Sequence, residues 1–153
     1  MTQHVSIQSQ SHISQTCTPP QKFMTGALGG LMGGVIFGIM MAMLNMIGMI
    51  SALVGSTSSA IGWILHLSIS MFIGVVFSFL FQDKLHSTGR GLSIGVGYGV
   101  FWWILGALIL MPIKLNMPLF HFSTATWQSL MGHMVFGAVL GASVVLVPRT
   151  MHT

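Results

Sequence analysis

The sequence predicts an all-α integral membrane protein in which four transmembrane helices form two helical hairpins of the same orientation. Composition is the first observation behind this prediction, because 53% of the 153 residues are hydrophobic and only 4% are charged, whereas about a quarter of a typical globular chain is charged. The second is that the apolar residues form four long runs, and the third is that the last two runs repeat the small-residue pattern of the first two. Lipid is therefore the expected solvent for most of the chain.

Two polar tails flank the predicted transmembrane domain, which covers residues 23–149. Residues 1–22 are rich in Gln, Ser, Thr and His and contain no apolar run, so we expect a disordered cytoplasmic tail. Residues 150–153 form a second cytoplasmic tail. Each predicted helix has about twenty residues or more, enough at about 1.5 Å per residue to cross a hydrocarbon core of about 30 Å. Pro112 is expected to end the third helix. The helices are expected at about 23–50, 60–81, 91–111 and 127–147.

Small residues at every fourth position relate the helices in pairs. Residues four apart share one face of a helix, so each helix carries a ridge of the kind that lets membrane helices approach closely. Two hairpins of the same orientation would be related by a pseudo-two-fold axis along the membrane normal. The first and third helices match at an offset of 61 through Gly30, Gly34 and Gly38 with Gly91, Gly95 and Gly99; the second and fourth match at an offset of 67 through Gly62, His66, Ser70 and Gly74 with Ser129, His133, Gly137 and Gly141.

The basic residues predict the orientation. Lys114 is the only base on one side of the predicted membrane, and the other four lie on the side of the termini: Lys22, Lys84, Arg90 and Arg149. The positive-inside rule therefore places both termini in the cytoplasm. These bases are scattered at helix ends, so we expect contact with anionic lipid and none with nucleic acid. Cys17 is the only cysteine, which excludes an intramolecular disulfide.

Four polar side chains are expected to form a cluster at one depth in the membrane. This depth is about two helical turns from the helix ends on the side of Lys114. They are His66, His133, Asn45 and Ser129. Ionisable residues within membrane helices commonly mark functional sites. One interpretation is that each imidazole hydrogen-bonds to a neighbouring helix and fixes packing. The other is that the cluster contacts or moves a small solute.

Two cofactor hypotheses involve the same histidines. Two imidazoles at one level suit the axial ligation of haem b. Imidazoles together with thioethers favour Cu(I), and Met41, Met46 and Met49 crowd the same half of the first helix. Neither cofactor is part of the main prediction, which is a membrane protein without a bound cofactor.

Enzymatic activity is not predicted. No predicted helix contains an acidic residue, because Asp83, the only acid of the chain, lies in a polar loop; carboxylate-based proton coupling therefore has no candidate group. Ser129 and His133 lie one turn apart on one helix, where side chains rarely reach nucleophile–base geometry beside an oxyanion site. We expect instead association through small-residue ridges with a second copy or another membrane protein.

Several local patterns over residues 24–147 resemble a group of small bacterial multi-pass membrane proteins and, more distantly, the YagU-type inner membrane proteins. The resemblance implies a bacterial cytoplasmic membrane location and four helices. It implies no activity, so it assigns no catalytic role to any residue. The patterns are Phe-Gly-x-Met-Met from Phe37, His-Leu-x-Ile-Ser from His66, Tyr-Gly-x-x-Trp-Trp from Tyr98, Leu-Met-Pro from Leu110 and Gly-His-Met-x-x-Gly-x-x-x-Gly from Gly132.

Overall fold

The computed structural model describes residues 17–150, with side chains as far as Val147, and this part of the chain contains helices and no strand. The tail predicted to be disordered therefore lies outside the described residues as far as residue 16, and so do residues 151–153. The helices are α1 (Pro19–Met43), α2 (Ile47–Ala52), α3 (Ser59–Phe81), α4 (Thr88–Trp102), α5 (Met111–Leu115) and α6 (Thr124–Thr150). A 3-10 turn, Gln82–Lys84, follows α3, and a π-helical segment, Trp103–Leu110, joins α4 to α5.

Four helical stretches are long and apolar enough to cross a membrane, as the sequence predicts. They are Pro19–Met43, Ser59–Lys84, Thr88–Leu115 and Thr124–Val147. The second includes the 3-10 turn after α3, and the third runs without interruption through α4, the π segment and α5. The all-helical prediction and the number of long apolar helices are therefore confirmed within the described residues.

The four long helices pack in the order α3, α1, α6, α4. Helix α1 lies between α3 and α6, and α6 also packs against α4. Helices α3 and α4 hardly touch, although the Tyr98 hydroxyl donates to the Ile73 carbonyl at 3.1 Å and its ring packs on Phe77. The arrangement is therefore closed on one side, where α1 meets α6, and open on the other, between α3 and α4.

Small residues bring the backbones of each hairpin into direct contact. A Cβ on Gly30 would lie 3.1 Å from the Gly74 Cα, and one on Gly95 would lie 3.0 Å from the Gly137 carbonyl carbon, so neither position has room for a side chain. The contacts are spaced alike in the two helix pairs. Between α1 and α3, Gly30 meets Gly74, Gly34 meets Ser70 and Gly38 meets His66. Between α4 and α6, Gly91 meets Gly141, Gly95 meets Gly137 and Gly99 meets His133. All of these residues except His133 are buried, so these ridges are occupied within the chain.

The first helix ends at Met43 instead of near residue 50. Asn45 adopts a left-handed conformation with φ 55°, which asparagine tolerates better than most residues. Its N–H donates to the Ala42 carbonyl at 3.1 Å and the Met46 N–H donates to the Met41 carbonyl at 2.8 Å. This pair of hydrogen bonds is the Schellman motif, which satisfies the last carbonyls of a helix.

The third helix continues past Pro112 to Leu115 and ends at Asn116, which has φ 53°. Proline has no N–H to bond the carbonyl four residues earlier, and its ring pushes that carbonyl away. The carbonyl concerned belongs to Leu108, in the π segment, and it accepts a hydrogen bond from the Phe120 N–H at 3.4 Å. The wider π turn accommodates the proline, so Pro112 modifies the helix without ending it.

All four long helices begin earlier than predicted, α3 by one residue and the others by three or four. Helix α1 begins at Pro19, a residue suited to the first helical position, and the Thr18 N–H donates to the Gln21 side chain at 2.9 Å in a capping box. Helix α6 begins at Thr124, where the Ser123 hydroxyl accepts from the Thr126 N–H at 3.4 Å. At the other end of the bundle from Lys114, Lys22 forms an ion pair with Asp83.

Replacing Gly95 by alanine should destabilise the fold by about 1–3 kcal/mol, because the new Cβ would overlap the backbone of α6. Gly97 is a matched control two residues away on the same helix, since a Cβ there meets no atom within 4 Å. Gly97→Ala should be neutral or stabilising by up to about 1 kcal/mol. Unfolding of both variants in mild detergent measures the difference, and equal stabilities would contradict the close contact between α4 and α6.

Candidate functional site

A cavity of about 550 Å³ lies at the end of the bundle that carries Lys114. Ligand pockets in proteins commonly measure about 300–1,000 Å³ and have mainly apolar walls with a few polar groups. We call it the histidine cavity, because both helix histidines line it. Its lining includes His66, Ile69 and Ser70 of α3, Met41, Met46 and Met49 around the α1–α2 turn, Trp102 and Gly106 on the third helix, and Ser129, His133 and Phe136 of α6.

The cavity exists because α3 and α4 separate at this end. The π segment forms one wall, and α2 with the segment 116–123 borders the mouth. Ile69 and Leu110 line the cavity and are also 42% and 52% exposed. The cavity therefore reaches the lateral surface between α3 and the π segment, as well as the end of the bundle, where Lys114, Met117 and His121 are exposed.

Each cavity histidine hydrogen-bonds to a backbone carbonyl. His66 Nε2 lies 2.9 Å from the Gly34 carbonyl oxygen, and His133 Nδ1 lies 2.8 Å from the Ser129 carbonyl oxygen. A carbonyl only accepts hydrogen bonds, so these ring nitrogens carry the hydrogen. In the neutral imidazole the other ring nitrogen, Nδ1 of His66 and Nε2 of His133, then presents a lone pair.

Phe37 is the common neighbour of the two histidines. Its ring centroid lies 5.3 Å from that of His66 and 4.8 Å from that of His133, with edge-to-face geometry in both cases. Phe37 belongs to α1, the helix between α3 and α6, so its ring links imidazoles on helices that do not pack against each other. Phe37 and the histidines therefore form a continuous group of rings beside the cavity.

Gly132 makes room for Phe37, a role that the pattern beginning at Gly132 does not predict. A Cβ on Gly132 would lie 2.9 Å from the Phe37 Cζ and closer still to other ring atoms. The available signal was its place directly before His133, but it lies off the ridge of every fourth residue on which the prediction relied. Only the position of α1 shows which side chain needs this space.

The structure brings together most of the predicted site residues. His66, His133 and Ser129 line the histidine cavity, and so do the predicted metal candidates Met41, Met46 and Met49. Asn45 does not join them: it is exposed in the turn between α1 and α2. The prediction placed Asn45 on the ridge of a continuous first helix, and the Schellman motif breaks that helical register.

Trp102 and Trp103 have different surroundings. Trp102 lines the cavity, and its Nε1 is the one buried side-chain polar atom among residues 17–147 without a hydrogen-bond partner. The Trp103 Nε1 donates to the Thr126 carbonyl at 3.2 Å. Trp103 therefore holds the π segment against the start of α6, whereas the Trp102 Nε1 is enclosed by protein and the Trp102 ring packs edge to face on Tyr98.

Haem b with two histidine ligands stays a hypothesis from the sequence. The Phe37 ring, on the helix between α3 and α6, packs against both imidazoles. Residues 17–147 also contain no group of three or more His, Cys, Asp or Glu that could hold a metal ion. The lone pairs of the two histidines and the thioethers of Met41, Met46 and Met49 do suit a soft metal.

No protein-family model, curated protein or solved structure matches this chain. The resemblance to small bacterial multi-pass membrane proteins therefore stays a prediction, and the chemistry of the site rests on its own residues. Those residues provide an apolar chamber with two acceptor nitrogens on imidazoles and a cation, Lys114, at the mouth. Such a chamber is suited to binding a small, mainly apolar molecule.

Replacing Gly132 by alanine should displace the Phe37 ring and destabilise the fold by about 1–3 kcal/mol. Gly106→Ala is the matched control, because Gly106 also borders the cavity but a Cβ there meets no atom within 4 Å. In a double-mutant cycle, Phe37→Leu should recover part of the loss, since leucine lacks the ring atoms that clash. Thermal unfolding of the four variants tests this, and strictly additive losses would show that Gly132 and Phe37 do not interact.

Proposed function

We propose that this chain is a multi-pass protein of the bacterial cytoplasmic membrane, with both termini in the cytoplasm, that binds or moves a small, largely apolar molecule in the histidine cavity. Its four long apolar helices support the membrane location. Four of the five bases on the side of the termini support the orientation. The corresponding small-residue contacts of α1 with α3 and of α4 with α6 support two repeated hairpins.

The size and lining of the histidine cavity carry the proposal for binding. A volume of about 550 Å³ exceeds what a packing defect leaves in a domain of this size, and most of the lining is aliphatic, aromatic or thioether. The cavity reaches the lateral surface beside Ile69 and Leu110. In a membrane that opening faces lipid, so an apolar molecule can enter from the bilayer without crossing water.

A binding role is favoured over catalysis by the geometry of Ser129 and His133. The Ser129 hydroxyl lies 3.4 Å from His133 Nδ1, but the same nitrogen lies 2.8 Å from the Ser129 carbonyl. The nitrogen near the hydroxyl therefore carries a hydrogen and cannot take the serine proton. We propose accordingly that the protein is not a hydrolase and that its polar groups orient a bound molecule.

Filling the cavity should abolish binding of an apolar probe. Gly106→Leu places a side chain in the cavity wall, whereas Gly97→Leu places the same side chain on the exposed face of the same helix. In lipid nanodiscs, 1-bromododecane should quench tryptophan fluorescence with a saturable component, since Trp102 lines the cavity. The saturable component should persist in Gly97→Leu and disappear in Gly106→Leu.

Unfolding temperatures of both leucine variants serve as the control for misfolding. Non-saturable quenching alone in the wild type would mean that the probe only dissolves in lipid around the protein. Equal saturable quenching in Gly97→Leu and Gly106→Leu would place the binding site elsewhere. Either result would contradict a ligand in the histidine cavity.

A second candidate function is the handling of Cu(I), which the grouping of Met41, Met46 and Met49 with both histidines favours. Thioethers and imidazoles are ligands that select Cu(I). The protein would then compete with a chromogenic chelator for Cu(I), and the double variant Met46→Leu, Met49→Leu should bind at least about tenfold more weakly. The matched control is Met71→Leu, Met131→Leu, which alters two exposed methionines outside the cavity. Copper handling would be contradicted if the wild-type protein bound no Cu(I), or if both double variants bound Cu(I) equally weakly.

A further inference from the structure

We propose that the molecule bound in the histidine cavity carries a neutral hydroxyl group, as an apolar alcohol or phenol does, and that this hydroxyl donates its hydrogen to an imidazole nitrogen. This inference rests on the proposed function, because it names the class of ligand for the same cavity. Each histidine uses one ring nitrogen in a hydrogen bond to the backbone, and the inference follows from the ring nitrogen that remains free.

Backbone carbonyls fix which nitrogen of each imidazole is a donor. His66 donates from Nε2 to Gly34, and His133 donates from Nδ1 to Ser129, both at less than 3 Å. The remaining nitrogens, His66 Nδ1 and His133 Nε2, have no hydrogen-bond partner among the described residues. Both are acceptors, so the complementary group on a ligand is a donor.

The charges around the cavity exclude an ionic donor. Asp83 is the only acid of the chain, and it pairs with Lys22 at the other end of the bundle. An ammonium group in the cavity would therefore have no carboxylate from this chain to pair with, and burying an unpaired charge costs several kcal/mol. Lys114 at the mouth would repel a cation further.

An anionic headgroup fits the imidazoles poorly as well. A carboxylate or phosphate offers only acceptors, and the free imidazole nitrogens are acceptors too. A hydroxyl offers one donor for an imidazole and lone pairs that accept in turn.

Three probes that differ in one group test the inference: 4-octylphenol, its methyl ether 4-octylanisole, and 4-octylbenzoate. Each would compete with 1-bromododecane for the saturable fluorescence quenching of the wild-type protein in nanodiscs at pH 7. The phenol should compete about fivefold better than the methyl ether, the ratio that one net hydrogen bond provides. The benzoate should compete no better than the ether.

Two variants locate the hydroxyl. His66→Phe and His133→Phe keep a planar ring but remove the lone pair, and at least one of them should bind phenol and ether equally. If neither variant folds, 15N-histidine-labelled wild-type protein gives an independent readout. A hydrogen bond to a non-protonated imidazole nitrogen should shift its resonance with the phenol and leave it in place with the ether.

The outcomes separate this inference from the proposed function. Equal competition by phenol and ether, with binding still lost in Gly106→Leu, would overturn the hydroxyl and retain an apolar ligand. Strongest competition by the benzoate would also overturn it, because the imidazoles would then act as donors. Absence of any saturable quenching would instead overturn the proposed function itself.

Discussion

Direct backbone contact between helices is the constraint on which the rest of the structure depends. Glycine and serine ridges let α1 approach α3, and α4 approach α6, more closely than any larger side chain permits. The His66 bond to the Gly34 carbonyl exists because α1 and α3 meet at these positions. Close packing therefore determines the tautomer of His66 and, with it, which ring nitrogen keeps a free lone pair.

The α1–α3 pair and the α4–α6 pair both have close small-residue contacts, but α1 and α4 differ in their other faces. Helix α1 has a second small face, where Gly29 and Gly33 pack against Leu140 and Phe136 of α6. At the offset of 61, the aligned positions in α4 are Arg90 and Ile94, so α4 has no second pair of glycines there. The bundle is open between α3 and α4, on the side that lacks this pair.

Pro112 adds to the same opening. By removing one helical hydrogen bond it favours the π turn, and the Leu108 carbonyl that it leaves free is bonded by Phe120. The segment 116–123 is thereby tied to the wall of the cavity near its mouth. One residue thus widens the helix beside the cavity and positions the segment that borders its entrance.

The sequence by itself determined the helical class, the four long apolar helices and the small-residue faces, because composition and a period of four report on single helices. It also indicated His66 and His133 by their shared level, and Met41, Met46 and Met49 by their crowding in one half of the first helix. Only the tertiary structure decided that Asn45 ends α1, that Phe37 lies between the histidines beside Gly132, and that a cavity opens beside α3. Those features depend on which faces meet and how closely, and helical periodicity carries no information about the partner across a contact.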